Sequence, residues 1–294
     1  MKKQNELYLS DKQPLNTGGR IFLTLSYLIM IVWALFIILP LAIIVVSAFN
    51  GNQGKNISLQ SVFSFSLKHF EYLFTETYFF MWVKNTLIVA IATALLTLLI
   101  VSFTGYAYSR YKFTGKKTIL MGIMLIQIIP VFAGLTAFYT LHSIISTAIP
   151  FFSKKAMLVL IYSGGGIVGN TFILKGYIDS ISRELDDAAK INGCSNMGVY
   201  RLIIMPIARP MLAIIALWSF IGPFMDYMLP KVLLTNSKDY TLTVGLFTLI
   251  NDARTMNAPA FAAGGLLTAI PIIILFISLQ NQLVSGLSSG SVKG

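Results

Sequence analysis

Residues 186–206 read DDAAKINGCSNMGVYRLIIMP, the longest polar interruption in the second half of the chain. In it Asp187, Ala188 and Ala189 stand just ahead of Gly193, and Ile203, Met205 and Pro206 close the stretch. These residue types suit docking rather than bond-making. Alanines on an exposed helix face let another protein approach closely, a glycine can turn the chain sharply, and a proline can start a new helix. The rest of the chain offers no acid–base or metal constellation. His69, His142 and the single cysteine, Cys194, are far apart in sequence and make no ligand cluster. One cysteine also excludes an intrachain disulfide. GxSxG, Walker A and HExxH patterns are missing, so neither catalysis nor a resident cofactor is expected.

The stretch reads as helix, turn, helix. Ser182 is the expected N-cap, with Glu184 and Asp186 in the first turn, where the helix dipole favours acids. Leu185, Ala188, Ala189 and Ile191 recur at helical spacing. Gly193 should end the helix with a positive φ. Ser195 can cap a second helix, with Met197, Val199, Leu202 and Ile203 as its apolar positions, and Pro206 and Pro210 lead into the next apolar run. Taken alone, these residues also fit a solvated linker lying at a membrane surface.

The flanking elements are apolar enough to need a membrane. Of 294 residues, 56% are hydrophobic and 11% charged, against about 25% charged in a soluble domain. The net charge of +11 does not indicate nucleic acid, because Lys and Arg fall in short segments between apolar runs. Spans of about 20 residues are expected at 21–49, 87–108, 118–141, 156–174, 207–229 and 260–283. Residues 1–20 are polar and the first apolar run exceeds a signal-peptide core, so it is expected to stay as an anchor. Assigning loops to alternate sides puts 14 of the 22 Lys and Arg on the side holding 109–117 and 183–206, which the positive-inside rule makes cytoplasmic. The expected fold class is an all-α membrane protein. It has six transmembrane helices between residues 21 and 285, a cytoplasmic helical loop at 183–206 between the fourth and fifth, and both termini inside.

Polar positions within the spans carry two readings each. The run YSGGGIVGN (162–170) is expected to break the fourth span. Its Gly164, Gly165, Gly166 and Gly169 permit close helix packing or, with Asn170, a flexible wall along a substrate path. Gln127, near Pro130, suits an interhelical hydrogen bond or the same path. Asp226 suits an interfacial structural role or a gate. Tyr78, Phe79, Phe80 and Trp82 read as an aromatic belt at the membrane interface. The Gly- and Ser-rich tail at 286–294 is expected to form no stable helix.

The docking stretch closely resembles the EAA loop of binding-protein-dependent ABC importer permeases: Glu-Ala-Ala, a Gly four positions on, and an Ile-x-Leu-Pro end. Asp187 stands for the Glu and Met205 for the Leu. MWVKNTLIVAIAT (81–93) resembles the Trp-x-x-Asn-Ser/Thr start of the permease domain in carbohydrate importers. GYAYSRYKFTGKK (105–117) resembles their second cytoplasmic turn, and 172–189 their run into the loop, although Ser182 stands where Pro is usual. The tail GLSSGSVKG is similar to that of MalG-type maltose/maltodextrin permeases.

The resemblance implies four kinds of partner: a second homologous permease subunit, an ATPase subunit dimer, an extracellular solute-binding protein delivering sugar, and membrane lipid. It assigns ATPase coupling to Asp187, Ala188, Ala189, Gly193, Ile203, Met205 and Pro206, and tail contacts with the ATPase to Gly286, Ser288 and Gly290. The candidates for a substrate path, read from their own types and positions and not from the resemblance, are Gln127, Gly165, Asn170 and Asp226. ATP hydrolysis would belong to the partner chain. A secondary transporter, the competing class, would need ionisable groups near the midplane, and only Asp226 comes close.

Overall fold

The structure is a computed structural model describing residues 17–289 apart from 59, 60, 129 and 255. Every regular element among the described residues is a helix. In chain order these are α1 (Thr17–Phe49), α2 (Lys68–Glu76), α3 (Phe79–Arg110), α4 (Lys116–Ile126), α5 (Leu135–Ala148), α6 (Lys154–Asp179), α7 (Glu184–Ile191), α8 (Asn196–Ile207), α9 (Arg209–Met225), α10 (Met228–Leu233), α11 (Leu242–Phe247) and α12 (Ala258–Ser289). Helices satisfy their own backbone hydrogen bonds, which chains this apolar require in lipid.

Four of them, α1, α3, α6 and α12, are long and apolar enough to cross a membrane. The pair α8 and α9 passes the same test together but bends by 76° where they meet. The expected third span is not one helix. It divides into α4, a 3-10 turn at Val131–Gly134 and α5. Pro130 supplies no backbone donor and disfavours helix in the residue before it, so a proline here interrupts the run. The expected fifth span is also shorter than 207–229, starting at Arg209 after the bend and ending at Met225.

α3 is the central element. It packs along α6 and α9 and meets α11 at one end, while α12 packs on α9 and α1. Its buried residues Trp82, Thr86, Val89, Thr93, Thr97 and Val101 recur every three to four positions. Two buried clusters result. At the α2 end, Trp82, Val89, Leu158, Leu233, Leu242, Leu246 and Ala263 pack together. At the α7 end the cluster is Val101, Tyr106, Leu174, Ile178, Ala189, Val199, Ile204, Ala208 and Ile215. Gly105 sets the α3–α6 distance there, since a Cβ would sit 2.9 Å from Leu174 Cδ2. α1 fully buries only Ser47 and Ala48, with Ile44 and Phe49 packed against the core, and its first three-quarters are exposed apolar surface open to lipid or another chain.

Three further expectations are corrected. α6 runs unbroken through its glycines; Gly164 and Gly165 are exposed, with no atom within 4 Å of where a Cβ would be, while Gly166 packs near Thr97. Packing of α6 along α3 outweighs the entropic cost of each glycine, about 1 kcal/mol. Trp82 and Phe79 are core residues, 3% and 4% exposed, not members of an interface belt. Gly245 makes room for the indole: a Cβ there would lie 2.1 Å from the ring. The backbone of α12 remains helical through Gly286 and Ser288 to Ser289, so the tail's start extends the last helix. Propagating an existing helix costs far less than starting one. Gly290 lies outside the described residues.

Candidate functional site

α7 carries Glu184, Asp186 and Asp187 in its first turn and Lys190 in its last, both favourable to the helix dipole. Arg183, not Ser182, occupies the N-cap position, although Ser182 Oγ still accepts the Glu184 N–H at 3.2 Å. The far end is a Schellman motif. Gly193 has φ +85°, its N–H reaches Lys190 O at 2.9 Å, and the Cys194 N–H reaches Ala189 O at 3.0 Å. Cys194 and Ala189 share the same buried cluster, which supplies the apolar contact this motif favours. Ser195 caps α8, its Oγ accepting the Gly198 N–H at 3.1 Å.

α8 widens to a π-turn over Val199–Ile204. Pro206 explains the widening: it has no N–H for Leu202 O, and its ring crowds that carbonyl in an ordinary helix. The bend follows at Ala208. Tyr200 fastens α8 to α3, its ring stacked 4.9 Å from Phe103 and its hydroxyl 2.9 Å from Ser102 Oγ. The Tyr106 hydroxyl donates to Asn196 O at 3.3 Å.

The residues separate by face. Ala189 is 7% exposed and packs inward, so of the two alanines only Ala188 faces outward. Asp187 and Gly193 are exposed as well. Ile203, Met205 and Pro206 are half-buried, and the first two lean on the α7-end cluster. Leu185, Ile191 and Met197 are 44%, 87% and 59% exposed, so the loop presents an apolar surface. The neighbouring carboxylate, Asp186, turns inward and pairs with Arg110 across 2.7 Å. Sequence reasoning missed both. The helical period puts Asp186 and Ala189 on one face, but that this face turns inward follows from Arg110 and not from the period.

The residues expected along a path gather beside α6. Tyr162 donates from its hydroxyl to Asp226 Oδ2 at 2.9 Å. Asp226 Oδ1 accepts the Met228 N–H at 2.9 Å and the Leu229 N–H at 3.4 Å, so Asp226 starts α10 and holds the break after α9. One and two turns along α6 from Tyr162 come exposed Gly165 and half-buried Asn170. A Cβ at Gly169 would lie 3.3 Å from Gln127 Nε2, which places the exposed Gln127 beside that turn. This polar stripe is about 12 Å long.

Among the described residues the fold is all-helical, with four helices long and apolar enough to cross a membrane, and it defines a membrane-integral protein. Residues 100–289 match the family described as the binding-protein-dependent transport system inner membrane component, and the chain belongs to that family. It is 41% identical over 269 residues to the maltodextrin transport system permease protein MdxG of Bacillus subtilis (strain 168), covering 92% of this chain and 95% of that one. It is 38% identical over 276 residues to the galactooligosaccharides transport system permease protein GanQ of the same strain, covering 92% and 96%. A solved chain of a bacterial ABC transporter involved in the import of the acidic polysaccharide alginate has a TM-score of 0.76 at 18% identity, covering 92% of this chain and 99% of that one, a likeness of fold. The protein is therefore a membrane permease subunit of a binding-protein-dependent importer.

Proposed function

We propose that this chain is one of two homologous permease subunits enclosing a path for maltodextrin-type oligosaccharides, driven by a separate ATPase dimer. The carrying observation is the two-faced loop: Ala189, Val199 and Ile204 are anchored inward, while Leu185, Ala188, Ile191 and Met197 face outward. A rigid, apolar, capped surface of this kind fits a cleft on the ATPase, with Asp187 at its rim. Closure of the ATPase would then move the spans. In this reading the chain crosses the membrane six times with both termini inside, α4 and α5 making a broken third crossing. The stripe from Gln127 through Gly165 and Asn170 to Asp226 lines the path. The sugar assignment rests on the relative named for maltodextrin. A galacto-oligosaccharide is the second reading, carried by the relative named for that substrate.

The test is uptake of labelled maltotriose by the full complex in proteoliposomes, with binding protein and ATP. Uptake should require ATP, persist without a proton gradient, and be absent with this chain alone. Uptake that survives ATP removal would restore the secondary transporter. Uptake of galacto-oligosaccharide but not maltotriose would select the second reading. Deleting 286–294 should lower uptake per ATP without loss of the folded spans; equal values in both complexes would remove the tail from the ATPase contact.

A further inference from the structure

The α7 end of α3 holds a buried ion pair whose partners belong to different elements. Arg110 closes α3 and Asp186 lies in the first turn of α7. Nε and Oδ2 are 2.7 Å apart, and the side chains are 6% and 8% exposed. The same guanidinium donates from Nη1 to Ile178 O and from Nη2 to Ile181 O, each at 3.1 Å, where the chain leaves α6. Beside it, Ser109 Oγ donates to Asp179 Oδ1 at 2.6 Å, and Arg183 Nη2 donates to Ser109 O at 3.2 Å. One planar cation thus joins α3, the end of α6 and α7. The covalent routes from α7 to the spans run through residues 180–183 on one side. On the other they pass the Gly193 turn and the 76° bend. The ion pair adds a direct route to α3.

We infer that Arg110 and Asp186 are a positioning pair that converts displacement of α7 into displacement of α3 and α6, and so sets how much sugar each ATP moves. This rests on the docking reading of α7 given above. Arginine suits the role because its rigid fork keeps its charge and holds a carboxylate and two carbonyls in fixed directions. A buried charge stripped of its partner is strongly disfavoured, so the joint resists stretching. Neither residue lies on the exposed face formed by Leu185, Ala188, Ile191 and Met197, so docking and transmission are separable.

The experiment uses the complete complex in proteoliposomes and reads three quantities: ATPase retained on purification, ATP hydrolysed, and maltotriose taken up. Asp186→Asn keeps shape and an acceptor but removes charge; Arg110→Lys keeps charge but removes the fork. ATPase retention should stay near wild type, while sugar moved per ATP falls about ten-fold in Asp186→Asn and less in Arg110→Lys. Arg110→Cys/Asp186→Cys, built on Cys194→Ser, gives a readout that a merely structural pair would not move. Uptake per ATP should be low with free thiols and recover when a short bifunctional reagent bridges them. Unchanged sugar per ATP in Asp186→Asn overturns the inference. So does parallel loss of ATPase retention and uptake that bridging does not restore. Ala188→Arg tests the docking reading separately: normal ATPase retention in that variant would sink docking, whatever the ion pair does.

Discussion

α3 is gripped at both ends, by different chemistry. At the α2 end the grip is mainly neutral side chain to backbone. Trp82 Nε1 donates to Ser237 O at 2.7 Å, and Asn85 Nδ2 donates to Lys238 O at 2.9 Å and Tyr240 O at 3.1 Å. Thr86 Oγ1 accepts the Leu242 N–H at 2.7 Å. Charge enters at the rim, where Lys155 reaches Asn85 Oδ1 at 2.8 Å and pairs with the half-exposed Asp239, and where Lys231 and Lys238 lie over the Tyr240 and Tyr78 rings. At the α7 end one buried cation and one buried carboxylate hold three elements. Neutral hydrogen bonds contribute about 0.5–1.5 kcal/mol each, and losing one leaves the others in place. A buried ion pair contributes little over an apolar substitute but is costly to break, about 3–5 kcal/mol. The first grip is distributed and tolerant. The second adds to neutral bonds such as Tyr200–Ser102 one pair that is costly to break.

The largest effect expected from this contrast is at Arg110→Ala, which strands Asp186. Loss of about 3–5 kcal/mol is expected, read as a lowered unfolding midpoint of the purified complex. A loss no greater than that of a single neutral bond at the α2 end would erase the distinction between the two ends.

Next come changes at the α2 end. Thr86→Val leaves the buried Leu242 N–H unpaired and should cost about 1–3 kcal/mol. Gly245→Ala drives a methyl into the Trp82 ring and should cost about 1–3 kcal/mol by overpacking. Both should lower the unfolding midpoint while the sugar moved per ATP stays at the wild-type value. A changed ratio would mean that this end also transmits motion.

Gly193→Val sharpens the comparison from outside both grips. No atom lies within 4 Å of a Cβ there, so the strain comes from φ +85° alone, about 1–2 kcal/mol. The Arg110–Asp186 pair should survive while the outward face of α7 shifts. Weaker ATPase co-purification with folded spans is the expected result; full retention and full uptake would show that the turn does not set the docking surface.

The turn at Gly193 and the cap at Ser195 were legible because caps and left-handed glycines are local, fixed by a few neighbouring residues. The apolar character of the spans was legible for the same reason. Their continuity was not: hydropathy sums composition over a window and does not register that Pro130 interrupts the third run or that Ala208 carries a bend. The motif Trp82-x-x-Asn85-Thr86 was visible as a resemblance, yet its purpose was not. Its partners lie more than 150 positions away in sequence, and aromatic residues near a span's end read as a belt until the loop packed over them is seen. The loop's carboxylates show the same limit. Asp186 and Asp187 differ by one position, and only the placement of Arg110 decides which turns inward.

The smallest expected effect belongs again to the α2 end, through a buried imidazole. His69 in α2 is buried, with Nε2–H donating to Asn50 O at 3.1 Å. Burial pushes its pKa below the usual 6.5; the bond to Asn50 works against the shift, and the neighbouring Lys68 adds to it. Lys55 also faces the same cleft, which is lined by Gln53, Tyr72 and Asn257. The imidazole therefore stays neutral in the fold at pH values where the unfolded chain takes up a proton. Above about 6.5 neither state binds the proton and stability is independent of this group. As pH falls through 6.5 the unfolded state gains protons first, so stability drops until the depressed folded value is passed. His69→Gln keeps a donor and removes the titration. The difference in unfolding midpoint between wild type and His69→Gln should be flat above pH 7 and move against wild type as the pH falls below about 6.5. A flat difference across the whole range would mean that His69 takes its proton as readily in the fold as out of it.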